Sequence, residues 1–190
     1  TVALLISSEQ IISALFGYGT FDEDGVKNSA KALFYFSLGL PAFALIKVFS
    51  SFFFARHNTK TPFYISMVSV LINIFISIFY FDNFGFIIIP IATSISSWFN
   101  SIVLFIFLKK NNLFNFNFLF LSRFLRILIA TSIMGLFFNY LTNFFDANMQ
   151  YEQNFKAAYL IGIVFLSLIS YFLIAVLIKA FKISDIKLKY

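Results

Sequence analysis

Few residues in this chain have types and spacings that could do chemistry. Asp22-Glu23-Asp24 is the densest carboxylate run. A divalent cation would want six or more oxygens, and adjacent acids point in different directions. The run therefore reads as a solvated loop that also starts the following helix. Lys47 lies inside an apolar run, seven residues before Phe54, which is about 10 Å along a helix. An intramembrane cation marks a functional site by default, where it could meet an anionic group in a wet cavity. A lysine stem of that reach can also snorkel to the interface, and both readings stay open. Glu9 sits about one and a half turns from the end of its apolar run, and an interfacial position is expected. The loop 56–62 concentrates Arg56, His57, Asn58, Lys60 and Thr61. It suits both a cytoplasmic anchor and contact with lipid phosphate.

Polar and small residues also recur at helical spacing. Ser66, Ser69, Asn73 and Ser77 form one stripe. Ala92, Ser96 and Asn100 form a second, and Thr131, Gly135, Asn139 and Thr142 a third. Such stripes pack helices together in lipid, and they can also line a translocation path. No charge accompanies the first two, which favours packing. The substrate-path candidates are thus Lys47, Arg56, Lys60, Asn73 and Asn100.

Several chemistries have no candidate. There is no phosphate-binding G-x-x-x-x-G-K-[ST] or G-x-G-x-x-G run, and no H-E-x-x-H. His57 is the single histidine and there are no cysteines, so multi-His and thiolate metal sites are excluded. A serine nucleophile would lack a plausible base. No metal, cofactor or catalytic residue is expected.

The elements that must position these residues follow from composition. Of 190 residues, 61% are apolar, 12% are charged and 31 are Phe. Mean hydropathy is +0.90. A soluble domain carries about 25% charged residues and could not hide this much apolar side chain. The chain reads as an all-α integral membrane protein, a multi-pass bundle. A crossing needs about 20 apolar residues, and six runs are candidates, the first of them truncated. They are helix A (2–16), B (32–54), C (63–81), D (86–108), E (124–145) and F (157–178). Loops are expected at 17–25, 58–62, 82–85 and 146–153, with Pro62 at the first position of helix C. Residues 114–118 could form an interfacial segment, and 182–190 a basic tail. Helix A already starts at residue 2 without a signal peptide before it, so the chain is expected to be a C-terminal part of a longer protein.

Charge sets the expected topology. The B–C loop, the D–E loop and the tail hold ten cations, namely Arg56, Lys60, Lys109, Lys110, Arg123, Arg126, Lys179, Lys182, Lys187 and Lys189. The other loops hold three, Lys27, Lys31 and Lys156. The cation-rich side, with the C-terminus, is expected to be cytoplasmic. Asp22, Glu23, Asp24, Asp82, Asp146 and Glu152 fall outside, and Asp185 inside. The net charge of +6 thus belongs to membrane loops, and no nucleic-acid partner is expected.

The stretch from Leu45-Ile46-Lys47-Val48 through Phe52-Phe53-Phe54-Ala55-Arg56-His57-Asn58-Thr59-Lys60-Thr61-Pro62 resembles the MurJ (MviN) family of lipid II flippases. That family carries an aromatic helix end and an Ala-Arg-x-Asp-Thr-Lys/Arg-Thr-Pro loop, with Asn58 here in place of Asp. Ser8-Glu9-Gln10-Ile11 and Leu15-Phe16-Gly17-Tyr18-Gly19-Thr20-Phe21 are similar to its preceding helix, with Gln10 in place of Pro. Tyr35, Gly39-Leu40-Pro41, Thr93-Ser94, Ser96, Trp98 and Asn100 extend the resemblance, which covers residues 1–110.

The resemblance implies the last six helices of a fourteen-helix, MATE-like transporter of the MOP superfamily. It implies flipping of undecaprenyl-diphosphate-linked peptidoglycan precursor (lipid II) across the bacterial cytoplasmic membrane by alternating access. Residues 1–110 would be part of the central cavity wall, and 111–190 two extra helices forming a groove for the lipid tail, with a cytoplasmic tail. Partners would be lipid II, membrane lipids and the N-terminal helices of the same protein. Alternatives are a polysaccharide flippase or MATE exporter, a membrane enzyme of polyprenyl-phosphate metabolism, and a purely structural membrane subunit.

Overall fold

The computed structural model describes residues 1–111, 118–151, 153 and 155–180, with the side chains of 118–120 excepted. The expected interfacial segment up to residue 117, Glu152 and the basic tail with Asp185 lie outside the described residues. Every regular element among the described residues is helical. The elements are α1 (Val2–Ile6), α2 (Ser8–Phe16), α3 (Glu23–Phe54), α4 (Lys60–Phe84), α5 (Ile88–Lys110), α6 (Phe118–Phe144) and α7 (Lys156–Leu177). Short 3-10 turns cover Gly85–Ile87 and Asp146–Asn148.

Four helical stretches are long and apolar enough to cross a membrane: Glu23–Phe54, Lys60–Lys110, Leu121–Phe144 and Lys156–Leu177. The second has 51 residues, about 77 Å at 1.5 Å per residue, more than twice a hydrocarbon core of about 30 Å. It folds back at Gly85, and α4 packs along α5. Gly85 sits at φ 60°, ψ −147°, a conformation open essentially only to glycine. The apolar faces stay uncovered by protein, with Ile78 74% and Leu177 79% exposed. Water would penalise that at about 25 cal/mol per Å², so lipid is the solvent. The chain is an all-helical, multi-pass membrane protein.

Four expectations shift in detail. Helix A is broken at Ser7 into pieces of five and nine residues. Helix B begins at Glu23, well before its apolar run. There the Asp22 carboxylate accepts the Gly25 N–H at 2.8 Å, an N-cap bond. Glu23 also pairs with Lys27 at 2.8 Å, one turn on. Asp82, Asn83 and Phe84 are helical rather than a turn, because the reversal is concentrated at Gly85. Pro62 is the third residue of α4, not the first, still within the first turn, where its missing N–H costs no helical bond.

The chain divides into two compact units, one of residues 29–115 and one of 2–28 with 116–190, the boundary falling inside α3. In the first unit, Phe53, Ile65, Leu104 and Leu108 form a buried cluster with Ile46 and Phe49 against it. It fixes the end of α3 against α4 and α5. Gly39 allows a close approach, since a Cβ there would lie 2.9 Å from Ser94 Oγ and 3.1 Å from Ser94 Cα. Ser94 Oγ donates to the Tyr35 carbonyl at 2.5 Å and Trp98 Nε1 to the Leu38 carbonyl at 3.0 Å. The two acceptors lie on either side of Ser37, whose carbonyl gets no ladder bond from Pro41. In the second unit, α6 packs on α7, α1 on α6 and α2 on α7. Phe138, Met149 and Ile163 form one buried cluster, and Ala130, Ala175 and Ala180 another.

Candidate functional site

In the first unit the site is built where α3 ends. His57 adopts φ 57°. Its N–H donates to the Phe54 carbonyl and the Asn58 N–H to the Phe53 carbonyl, both at 3.0 Å. That is the paired 6→1 and 5→2 closure of a Schellman motif, with a histidine where glycine is usual. The chain turns at once into α4. Asn58 Oδ1 accepts the Thr61 N–H at 3.1 Å and Asn58 Nδ2 donates to Thr61 Oγ1 at 3.0 Å. Asn58 therefore serves the turn by itself, and no carboxylate is required there.

A groove of about 620 Å³ opens beside this turn, lined by Ser50, Phe54, Thr59, Lys60, Pro62, Phe63, Tyr64 and Ser66. Lys60 is the first residue of α4. In that first turn the Thr61 N–H is taken by Asn58 and Pro62 has none. Attraction for an anion in the groove thus comes mainly from the Lys60 ammonium. Lys47 lies one turn before Ser50 and two before Phe54, on the same face of α3 by helical period. Lys47, Arg56 and Lys60 are all exposed. The fold thus brings Lys60 to the groove and Lys47 to the helix face that leads to it. Arg56 sits on the α3–α4 turn and is not among the groove's lining residues.

The two candidate asparagines are bonded across the α4–α5 hairpin. Asn73 Nδ2 donates to Thr93 Oγ1 at 3.0 Å and to Ser96 Oγ at 3.4 Å. Asn100 Nδ2 donates to Ser66 Oγ at 3.3 Å. Both sew α4 to α5, as polar side chains do in lipid. Ser66 also lines the groove, so Asn100 supports its wall from behind. The third stripe is likewise structural. Thr131 and Thr142 bond to carbonyls of their own helix, and a Cβ on Gly135 would come within 2.7 Å of Val2.

One residue escaped sequence reasoning. Lys156, counted there only as an outer-loop cation, opens α7 and is 1% exposed. Its Nζ donates to the carbonyls of Gly17 and Tyr151, each at 2.7 Å. It lies 4.5 Å from the Tyr18 ring centroid and 4.6 Å from that of Tyr151, within cation–π range. Tyr151 in turn donates its hydroxyl to the Phe21 carbonyl at 2.5 Å. A Cβ on Gly17 would meet Nζ at 3.1 Å and the Ser13 carbonyl at 2.6 Å. The sequence signal was the Gly17-Tyr18 step, because only a residue without a side chain lets the ammonium reach that carbonyl.

The family model described as "Lipid II flippase MurJ" matches residues 1–156. The chain belongs to the MurJ family. A protein of Thermotoga maritima named probable lipid II flippase MurJ is 30% identical over 187 residues, covering 98% of this chain and 35% of that protein. The Rhizobium meliloti protein of the same name is 35% identical over 133 residues, covering 70% and 25%. The one from Rickettsia prowazekii is 34% identical over 112 residues, covering 59% and 22%. The chain thus spans about a quarter to a third of the length of these MurJ relatives. The matched region contains all five substrate-path candidates and ends at Lys156.

Proposed function

We propose that this chain is the C-terminal part of a transporter that moves lipid II from the inner to the outer leaflet of the bacterial cytoplasmic membrane by alternating access. The observation that carries this reading is the groove at the α3–α4 turn, with Lys60 in its wall and Lys47 on the adjoining face. A diphosphate cannot enter a low-dielectric slab without cationic partners and hydrogen bonds. The groove supplies a cation beside the apolar walls Phe54, Phe63 and Pro62, which suits an anionic headgroup attached to a hydrocarbon chain. Residues 1–110 would contribute one wall of the central cavity. Residues 111–190 would hold the lipid tail, and the remaining N-terminal helices would complete the path. The protein acts as a carrier and not as an enzyme.

The loop bearing Arg56 and Lys60 and the C-terminus would face the cytoplasm. Because the chain has no cysteine, single cysteines at Asn111 and Asn148 report this directly. An impermeant maleimide added to intact spheroplasts should label the second and spare the first; the reverse pattern rejects the orientation.

For transport, full-length protein carrying Lys47→Ala with Lys60→Ala is expected to lose complementation of a flippase-depleted strain while still reaching the membrane. Arg56→Ala alone should retain partial function. Wild-type complementation by the double variant would reduce both lysines to interfacial anchors and remove the groove from the path.

A further inference from the structure

The groove at the α3–α4 turn holds two serines besides its cation. Ser50 of α3 and Ser66 of α4 both line it, and both are half-buried. Ser66 lies six residues after Lys60, about 9 Å along the helix, past the apolar walls Pro62 and Phe63. The cation thus stands at the start of α4 and the hydroxyl deeper in the apolar part.

A serine inside an apolar helix commonly returns its proton to a carbonyl one turn back. Ser69 does so, donating to the Ile65 carbonyl at 2.8 Å, and Ser51 donates to the Val48 carbonyl at 2.7 Å. Ser66 makes no such bond among the described residues. Its oxygen instead accepts the Asn100 amide, Nδ2 to Oγ at 3.3 Å. Asn100 belongs to α5 and is 6% exposed, so packing fixes its side chain and, through the bond, the Ser66 hydroxyl. The proton of that hydroxyl has no acceptor among the described residues, and the groove is the open space beside Ser66. Ser50 has no comparable support. We propose that Ser66 donates a hydrogen bond to a phosphate oxygen in the groove, and that Asn100 is the positioning residue that aims it.

This inference rests on the groove reading of the proposed function and adds a determinant that Lys60 does not supply. An ammonium on a flexible stem is a point charge that attracts any anion. A hydroxyl held deeper, among apolar walls, selects an anion that carries its oxygens into apolar surroundings, as the phosphate ester of a hydrocarbon alcohol does. A hydrogen bond to an ionised acceptor is stronger than one between neutral groups, and more so where water is scarce. A diphosphate on a hydrocarbon chain meets both groups. Its outer phosphate faces the Lys60 ammonium, and the phosphate joined to the chain faces Ser66.

The test reads occupancy at the groove itself, in full-length protein freed of any other cysteine. Thr59 lines the groove, is exposed and makes no side-chain cap bond, so Thr59→Cys places a reporter thiol there. Its labelling by iodoacetamide in detergent is followed against geranyl diphosphate, which is expected to protect saturably. The half-protecting concentration should rise about tenfold in Ser66→Ala, as fits one hydrogen bond to a charged group, and at least as much in Lys60→Ala. Asn100→Leu should weaken protection no more than Ser66→Ala does. The two together should be no worse than Ser66→Ala alone, because Asn100 acts through that hydroxyl. Labelling without the diphosphate should run at the same rate in every variant, which separates loss of a bond from collapse of the groove. Protection lost in Lys60→Ala but intact in Ser66→Ala overturns the inference and leaves the groove reading standing. No saturable protection, or protection indifferent to Lys60→Ala, rejects the groove reading and the inference with it. Additive losses in Ser66→Ala and Asn100→Leu, or a changed ligand-free rate in Ser66→Ala, would return the pair to helix packing.

Discussion

The α4–α5 hairpin and the α6–α7 hairpin solve the same problem in opposite ways. In lipid neither can rely on the hydrophobic effect to bring helix to helix. The α4–α5 pair is sewn through its middle by neutral polar side chains, Asn73 to Thr93 and Asn100 to Ser66. The α6–α7 pair meets through small and apolar residues, with Ala130 and Ala175 in one cluster and Phe138 and Ile163 in another. Its charged ties lie at the ends. Arg126 Nη1 donates to the Lys179 carbonyl at 3.1 Å, and Lys156 holds Gly17 and Tyr151. Charge placed near a helix end is tolerated because the interface is close, whereas charge in the middle is expensive. The polar seam in the first hairpin is consistent with a position beside a wet path. The apolar middle of the second suits contact with hydrocarbon.

If that contrast is right, the largest effect comes from the end tie of the second hairpin. Lys156→Met keeps the length of the stem and removes the ammonium. Two charge-assisted bonds disappear, each worth about 1.5–3 kcal/mol, and two carbonyls are left behind. Water can partly replace the donor near the surface, so the net loss should be about 3 kcal/mol. Thermal unfolding of the full-length protein in detergent should show a fall of several degrees. An unchanged midpoint would mean that Lys156 is held in place rather than holding. Lys156→Arg should rescue poorly, because a planar guanidinium does not fit the site of a compact ammonium between two carbonyls and two rings.

That tie was the least legible part of the chain. A lysine between two apolar runs reads as a loop anchor, and its acceptors are backbone carbonyls, which carry no residue identity. One of them is 139 positions away. The crossings were legible because twenty-residue apolar runs have few alternatives. The start of α3 was not, since Glu23 and Lys27 form a helical turn by pairing and capping where hydropathy is silent. The break at Ser7 left no breaker residue to read. The stripes through Asn73 and Asn100 were visible by period. Their partners became visible only when α4 and α5 were laid side by side.

An intermediate effect is expected at the other end of the same hairpin. Lys179 has φ 54°. Its N–H closes on the Val176 carbonyl at 3.0 Å and that of Ala180 on Ala175 at 2.9 Å, a second Schellman closure with a non-glycine residue in the left-handed position. The Arg126 guanidinium donates to the carbonyl at this turn, just past the negative end of the α7 dipole. Such a placement contributes about 0.3–1 kcal/mol in addition to the bond itself. Arg126→Gln should therefore cost about 1 kcal/mol, less than Lys156→Met. Amide exchange at Lys179 and Ala180 is the sensitive readout, expected to rise severalfold. No change there would assign Arg126 to lipid headgroups instead.

The smallest effect should come from the middle of the first hairpin. Interhelical hydrogen bonds between neutral side chains in lipid average about 0.6 kcal/mol by double-mutant cycle. They are weak because the separated helices find other partners. Asn73→Ala and Thr93→Ala, singly and together in the full-length protein, should give a coupling energy of that size with little change in melting. Function should respond differently from stability. A seam beside a wet path loses an ordered polar wall when Asn73 is truncated, so complementation should fall further than about 0.6 kcal/mol of stability explains. If the double variant instead complements fully and melts normally, Asn73 is packing material, and only the lysines of the first unit remain as candidates for the path. A coupling above about 2 kcal/mol would break the contrast itself, because the neutral seam would then hold as firmly as the charged ties.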